Sequence, residues 1–165
     1  MEQELKTIEI DTRLGKRCID TSKIIVFPRG LIGFEEEHRF VLLQIKPNAP
    51  LLVLQSVKNP QLGLLVTDPK YFLDDYNPTL NEGERHLLQI MDDKDMAILV
   101  TVSIPQGEPS KAMLNLTGPI IVNYHSCVGL QVPQNEMAGP SRINLCSLAE
   151  ADRKNQEVQA QTEKA

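Results

Sequence analysis

The residues best suited to chemistry are the histidines and cysteines, and their spacing argues against a metal or catalytic centre. None of the three histidines lies four residues from another, as the paired histidines of a zinc-binding helix do. The three cysteines form no C-x-x-C pair, and their odd number and wide spacing indicate no disulfide framework. We therefore predict buried free thiols, no metal and no cofactor. These residues are His38, His86, His125, Cys18, Cys127 and Cys146.

Nucleophilic and phosphate-binding motifs are also missing from the sequence. It contains no G-x-S-x-G elbow, and the pair Gly30 and Gly33 is followed by none of the lysine or serine residues of a phosphate loop. Adjacent acids, as in residues 35–37, repel one another and rarely form an acid–base pair. An enzyme remains an alternative, and it would need a pocket where acids meet His38 or His86 with shifted pKa values.

A second feature is the segment 27–40, called the corner below, which places two glycines and a proline between apolar segments. Leu31, Ile32 and Phe34 lie inside this predicted turn, and three acids follow it. Two interpretations stay open. Ile32 and Phe34 plug the end of a β-barrel, or the apolar side chains form a docking edge rimmed by charge.

Charge is concentrated in residues 68–95, called the acidic stretch below. It holds eight acids and three bases, a formal charge of -5 that equals the net charge of the whole chain. Such a face attracts basic proteins by long-range steering and disfavours direct nucleic-acid binding. The alternative is a solvated helix with its flanking loops. Only seven aromatic residues are present, and no basic stripe accompanies them.

Short apolar runs separated by proline- and glycine-rich turns predict a mainly β, single-domain fold. Nine or ten strands at near-regular spacing favour a closed antiparallel barrel or a sandwich. One short helix is predicted over residues 79–91, begun by a capping box of Thr79 and Glu82. Its apolar stripe would contain Leu80, Leu87, Leu88 and Met91. We predict a β domain over residues 1–146 and a polar, flexible tail over 147–165.

Neither end of the sequence suggests a membrane protein. No run approaches the roughly 20 apolar residues of a membrane span. The first residues lack the basic-then-apolar layout of a signal peptide. The expected location is the cytoplasm.

The corner and several later segments resemble the signature of the flagellar assembly factor FliW family. The resemblance extends from about Ile8 to Val132. Arg142 is kept, but no strand-like ending is apparent between Gln134 and Cys146, and the tail has no recognised counterpart. The matching segments are residues 27–35, 40–43, 50–57, 64–69, 71–76, 97–102 and 115–123.

The resemblance implies a non-enzymatic, barrel-like protein that binds two protein partners. One is flagellin, and the other is CsrA, a small basic RNA-binding regulator that represses translation. A generic β-barrel interaction module with another partner is the alternative. We hypothesise that apolar corner residues supply contact area and acids supply steering. The candidate residues are Leu31, Ile32, Phe34, Asp74, Asp75, Glu84, Asp92 and Asp93.

Overall fold

The computed structural model of the chain describes residues 6–47, 49–134 and 142–144. In these ranges the fold is mainly β, as predicted, with one α-helix and four short 3-10 helices. The strands are β1 (Thr7–Thr12), β2 (Gly15–Asp20), β3 (Ile25–Val26), β4 (Arg39–Gln44), β5 (Leu51–Ser56), β6 (Gly63–Thr67), β7 (Met96–Ser103), β8 (Met113–Asn123), β9 (Val128–Gln131) and β10 (Arg142–Asn144). The helix α1 spans Glu82–Leu87, and the 3-10 helices span Thr21–Lys23, Pro69–Tyr71, Asp93–Asp95 and Pro109–Lys111.

Eight strands form one sheet that closes on itself. Their order is β10-β8-β7-β6-β5-β4-β3-β9, and a further pairing of β8 with β9 completes the ring. The expected antiparallel barrel is therefore present, with one exception: β3 and β9 pair in parallel at Val26 and Val128. The barrel interior holds a cluster that includes Phe27, Phe40 and Leu54, all with 0% exposure.

Three smaller apolar clusters cover the outside of the barrel. The β1–β2 hairpin packs Ile10 and Ile19 onto the outward side chains of β4 and β5. Leu88 and Ile90, which follow α1, cover part of β8 and β9. Phe72, Leu73 and Tyr76 cover the first half of β8 and the second half of β7. The last two clusters fix the acidic stretch against the barrel wall.

Two strands were not predicted. β2 pairs with β1 over its whole length, but most of its side chains are exposed, so its sequence lacks apolar alternation. β10 pairs with the first residues of β8, and the segment 134–146 therefore does contain a short strand. The longest strand, β8, runs through Gly118 and Pro119 without a break.

The helix is shorter than the predicted span 79–91, and its cap lies two residues later. Asn81 is the N-cap: its side chain accepts from the Glu84 amide, and the Glu84 carboxylate accepts from the Asn81 amide. Thr79 instead donates to Gln134. The helix ends because Gln89 adopts a left-handed φ of 56°. The amide of Ile90 then bonds to the Arg85 carbonyl at 3.0 Å, in the manner of a Schellman motif.

This early ending changes the predicted apolar stripe. Leu80 and Leu87 are half-buried and Leu88 is fully buried, but Met91 lies beyond the helix and is 91% exposed. Ile90 occupies the core in its place. The prediction was therefore right for three of the four side chains and wrong for Met91.

The cysteines differ from the prediction of buried thiols. Cys18 is exposed on β2, and Cys127 is half-buried in the turn between β8 and β9; both are free. Cys18 lies on the outer side of the β1–β2 hairpin, where a small side chain meets solvent. Cys146 and the predicted boundary between domain and tail lie outside the described residues.

Candidate partner-binding surface

The corner is a rigid turn fixed by its glycines and by backbone hydrogen bonds. Leu31 and Phe34 exchange amide-to-carbonyl bonds of 3.3 and 2.8 Å around the tip. Gly30 has a φ of 64°, and a Cβ there would approach the backbone of Glu35 to 2.6 Å. Only glycine fits such a close approach at a positive φ. The amide of Ile32 donates to Gln131 on β9 at 2.8 Å, which ties the tip to the barrel.

The three apolar corner residues have different environments. Leu31 is 1% exposed and packs in the barrel core, so the prediction of Leu31 as a contact residue is not supported by its burial. Ile32 and Phe34 are 58% and 41% exposed. With this exposure they do not fill the barrel end as a plug, although both line a cavity beside it. They are the apolar pair that the corner offers to a partner.

The carboxylate of Glu35 stabilises the turn of the corner by accepting a hydrogen bond from the backbone. Its carboxylate accepts from the amide of Gly33 at 3.1 Å. This bond, together with one from its own amide, holds the pKa of Glu35 below its ordinary value. The ionised carboxylate therefore supports the turn that displays Ile32.

Most acids in the acidic stretch bond to their own neighbourhood. Asp68 and Asp92 cap 3-10 helices by accepting from the amides of Lys70 and Lys94. Glu84 belongs to the capping box of α1. Three further contacts involve Asp93 with Arg85 at 3.0 Å, Asp95 with His125 at 3.2 Å, and Asp95 with the Asp92 amide at 3.3 Å. Much of this charge therefore has a structural role.

Asp74 and Asp75 differ from these acids. Both are exposed, and within the described ranges neither makes a side-chain hydrogen bond or ion pair. The next tyrosine, Tyr76, fixes this part by donating to the Leu116 carbonyl at 2.6 Å. Of the five predicted steering acids, these two have their full charge available to a partner.

The acidic stretch does not form one compact patch. Tyr76 contacts β8 at Leu116, whereas the exit of α1 is bonded to Asn123 on the same strand. These anchors are seven residues apart on β8, or about 23 Å of extended strand. Asp74 and Asp75 are therefore associated with one half of β8, and Asp92 and Asp93 with the other.

Among the described residues, no hydrogen bond or ion pair joins His38 or His86 to a carboxylate, and His86 is exposed. His38 Nδ1 lies 2.8 Å from the Phe27 carbonyl, and His125 pairs with Asp95 near the surface. The structure as described brings no three His, Cys, Asp or Glu residues together in a way that could hold a metal ion. No described helix is long and apolar enough to cross a membrane.

The sequence did not reveal a gap in the barrel wall between β6 and β7. β6 pairs with β5 over five residues, but with β7 over only two, Val66 to Thr101 and Thr67 to Val100. Cavities lie against this gap, and Ile32 and Phe34 line one of them. The sequence of residues 63–65 has the pattern of an ordinary strand and gives no indication that its pairing with β7 is incomplete.

Comparison with known proteins identifies the family. The sequence profile described as FliW protein matches residues 9–145. The chain belongs to the FliW family. The flagellar assembly factor FliW of Desulfovibrio desulfuricans (strain ATCC 27774) is 55% identical over 145 residues, which is 87% of each chain. FliW of Nitratidesulfovibrio vulgaris (strain DP4) is 52% identical over 138 residues, covering 84% of this chain and 80% of the relative.

A solved structure extends the likeness to three dimensions. The crystal structure of a flagellar assembly factor FliW matches with a TM-score of 0.77 and 31% sequence identity. The match covers 84% of this chain and 96% of the other. The barrel is therefore the FliW fold, and the family match reaches beyond the predicted limit at Val132 to include β10.

Proposed function

We propose that this FliW-family chain is a non-enzymatic flagellar assembly factor that acts by stoichiometric binding to protein partners in the cytoplasm. Membership of the family over residues 9–145 carries this proposal. The corner is consistent with it, because Ile32 and Phe34 form a small apolar surface at the tip of a rigid turn. Exposed apolar pairs with a charged rim are typical of protein interfaces.

The two proposed partners are flagellin and a CsrA-type translational regulator. Flagellin bound in the cytoplasm would occupy the factor and leave the regulator free to repress translation. Export of flagellin would release the factor, which would then bind the regulator and lift the repression. Flagellin synthesis would in this way follow flagellin export.

Charge supports the choice of a basic regulator as one partner. Asp74 and Asp75 are exposed and unpaired in the described part of the chain, so they can raise the rate of encounter with a basic protein. A nearby acidic body also weakens RNA binding, which depends on phosphate neutralisation. We therefore assign steering to these two residues before Glu84, Asp92 and Asp93.

Calorimetric titration with the flagellin and the CsrA-type regulator of the same organism tests the proposal. We expect each to bind alone and flagellin to displace the regulator in competition. The variant Asp74→Lys with Asp75→Lys should weaken regulator binding and reduce its salt dependence. A double reversal on β1, Glu9→Lys with Asp11→Lys, changes the net charge equally and serves as the control.

The outcomes separate the alternatives. Equal losses in both double variants would indicate a general charge effect and remove the assigned role of Asp74 and Asp75. Binding to neither partner would contradict the proposed function and favour an interaction module with another partner. Any hydrolytic or transferase activity would return attention to the enzyme alternative.

A further inference from the structure

At the gap between β6 and β7, the edges of these two strands do not pair with each other. Continuing the observed register would place Leu65 opposite Val102 and Leu64 opposite Ser103, but neither pair forms. β6 begins at Gly63 and β7 runs to Ser103, so both strands extend past their last shared pair. Strand edges of this kind are templates for pairing with another extended chain.

Cavities lie on both faces of the gap. The outer cavity has a volume of about 470 Å³ and the inner one about 350 Å³. Leu64, Leu65 and Val102 line both of them, so the two cavities meet at the unpaired edges. Because side chains of a strand point alternately to opposite faces, one extended segment could fill both cavities.

The outer cavity is apolar with one positive charge. Leu14, Val53 and the partly exposed Ile45 and Ile104 line it. Arg13 is the only charged residue among the described residues lining either cavity. Its Nη1 donates to the Gly63 carbonyl at 2.9 Å, which holds the guanidinium at the gap. The charge complementarity of this cavity favours a segment that carries a carboxylate.

The inner cavity contains an unsatisfied polar atom. Asn115 Nδ2 donates to the hydroxyls of Thr101 and Ser103, both at 3.0 Å. Its Oδ1 is the one buried side-chain nitrogen or oxygen atom in the described residues that has no hydrogen-bond partner. Buried acceptors normally have a donor, so this oxygen offers a bound group a hydrogen-bonding site. Ile32 and Phe34 line the same cavity, so it is continuous with the corner surface.

We propose that the β6–β7 gap binds an extended segment of a protein partner by strand addition. The backbone of the segment pairs with Leu65 on β6, with Val102 on β7 and with Ile104 just after β7, because Ser103 already pairs with β8 and the Gly63 carbonyl accepts from Arg13. The outward side chains of the segment are apolar except for one carboxylate, which meets Arg13. One of its inward side chains donates to Asn115 Oδ1. The inference rests on the proposed function and assigns this site to flagellin, because Arg13 disfavours a basic regulator.

Hydrogen exchange of the unmodified chain, alone and with the flagellin of its organism, tests the assignment. In the free chain the amides of Leu65, Val102 and Ile104 should exchange faster than the fully paired amides of β5. Saturating flagellin should slow them, while the amides of α1, which lines neither cavity, stay unchanged. The measurement needs no substitution, so a folding defect cannot confuse it.

A matched pair of variants provides the affinity test. Ile104→Glu places a charge in the gap and should weaken flagellin binding about tenfold through lost apolar burial and repulsion of the carboxylate. Val26→Glu alters a residue of nearly equal exposure, 43% against 44%, outside both cavities, and should leave affinity unchanged. Thermal melts of both variants verify that they fold.

Each other result overturns the assignment in a recognisable way. Flagellin binding without slower exchange at the gap would reject the site and leave the proposed function standing. Protection by the CsrA-type regulator instead would reject the chosen partner. Slow exchange in the free chain that becomes fast when residues 145–165 are removed would mean that the chain's own tail occupies the gap. Failure to bind either protein would reject the proposed function and this inference together.

Discussion

The corner and the acidic stretch differ in which of their side chains hold the structure together and which remain exposed. In the corner, the buried side chains of Phe27 and Leu31 anchor a turn whose tip presents Ile32 and Phe34. In the acidic stretch, most carboxylates bond to nearby amides or cations, and the side chains that anchor it are apolar or aromatic. In the corner, buried apolar side chains hold a turn whose apolar tip is exposed. In the acidic stretch, most of the charged side chains form the local contacts that stabilise its own helices and turns.

This difference shows why a count of residue types overestimates a binding surface. Of the three apolar contact candidates in the corner, two are exposed. Of the eight acids in the acidic stretch, three have no described side-chain partner: Asp74, Asp75 and Glu82. Substitutions can separate the residues that stabilise each region from those that it leaves exposed to a partner.

The largest effect should come from the corner's buried leucine. Leu31→Ala removes a side chain that is 1% exposed in the barrel core, and we expect a loss of about 2–5 kcal/mol in the free energy of unfolding. Ile32→Ala, one residue away, should change stability by less than about 0.5 kcal/mol because its side chain is largely solvated. Urea titrations of the two variants measure the contrast. Equal losses would show that the corner is not divided in this way.

The next largest effect on stability should come from the glycines of the corner, and the two should differ. Gly30→Ala combines a φ of 64° with a Cβ that would lie 2.6 Å from the Glu35 backbone, so we expect a loss of about 2–3 kcal/mol. Gly33→Ala has a φ of 88° but open space around the new Cβ, and about 1 kcal/mol should be lost. Chemical denaturation again provides the values. A Gly33 variant as unstable as the Gly30 variant would mean that φ alone controls the turn.

In the acidic stretch, the helix cap should matter less than the corner's core. Asn81→Ala removes the acceptor of the Glu84 amide, and typical N-cap losses are about 1 kcal/mol. Thr79→Ala removes a hydroxyl that bonds to Gln134 at 3.2 Å on the surface, and it should cost clearly less. If Thr79 proved the more important residue, the predicted capping box would be the real one in solution.

The sequence predicted those parts of the molecule that depend on local pattern. The apolar runs that became β4 to β7 were recognised because their side chains face a core, and the turn at Gly30 and Gly33 was evident from composition. β2 escaped detection because its stability comes from pairing with β1 and from few buried side chains. The cap was misplaced because Thr79 and Asn81 both fit a capping pattern, and only tertiary bonds to Gln134 decide between them.

The candidate site was harder to predict than the fold. The difference between Leu31 and Ile32 depends on which side of the tip faces the barrel, and residue type does not reveal it. The β6–β7 gap exists because the two strands stop pairing after two residue pairs. The strands lie about 35 residues apart in the chain, and the sequence of neither strand alone shows where their pairing stops.

Tyr76 provides the smallest effect and the one that depends on pH. Burial raises the pKa of its phenol from the ordinary value of 10.0 to about 12, and the hydroxyl donates to the Leu116 carbonyl. Since the folded pKa is higher than the unfolded one, the stability from the neutral phenol is complete below pH 10 and is lost as pH rises toward 12.

Tyr76→Phe should therefore lower stability by about 0.5–1 kcal/mol at neutral pH, the usual net value of one hydrogen bond. The difference from the unmodified chain should shrink above pH 10, because Tyr76 ionises in the unfolded chain before it does in the folded one, and the phenylalanine variant has no such group. Lysine deprotonation affects both proteins alike and cancels. Tyrosinate absorbance should lose its highest-pH step in this variant, whereas Tyr71→Phe, at a residue that is 64% exposed, should retain it. A difference in stability that stays constant from pH 7 to pH 12 would show that the phenol ionises equally in both states, and Tyr76 would then anchor the acidic stretch by packing alone.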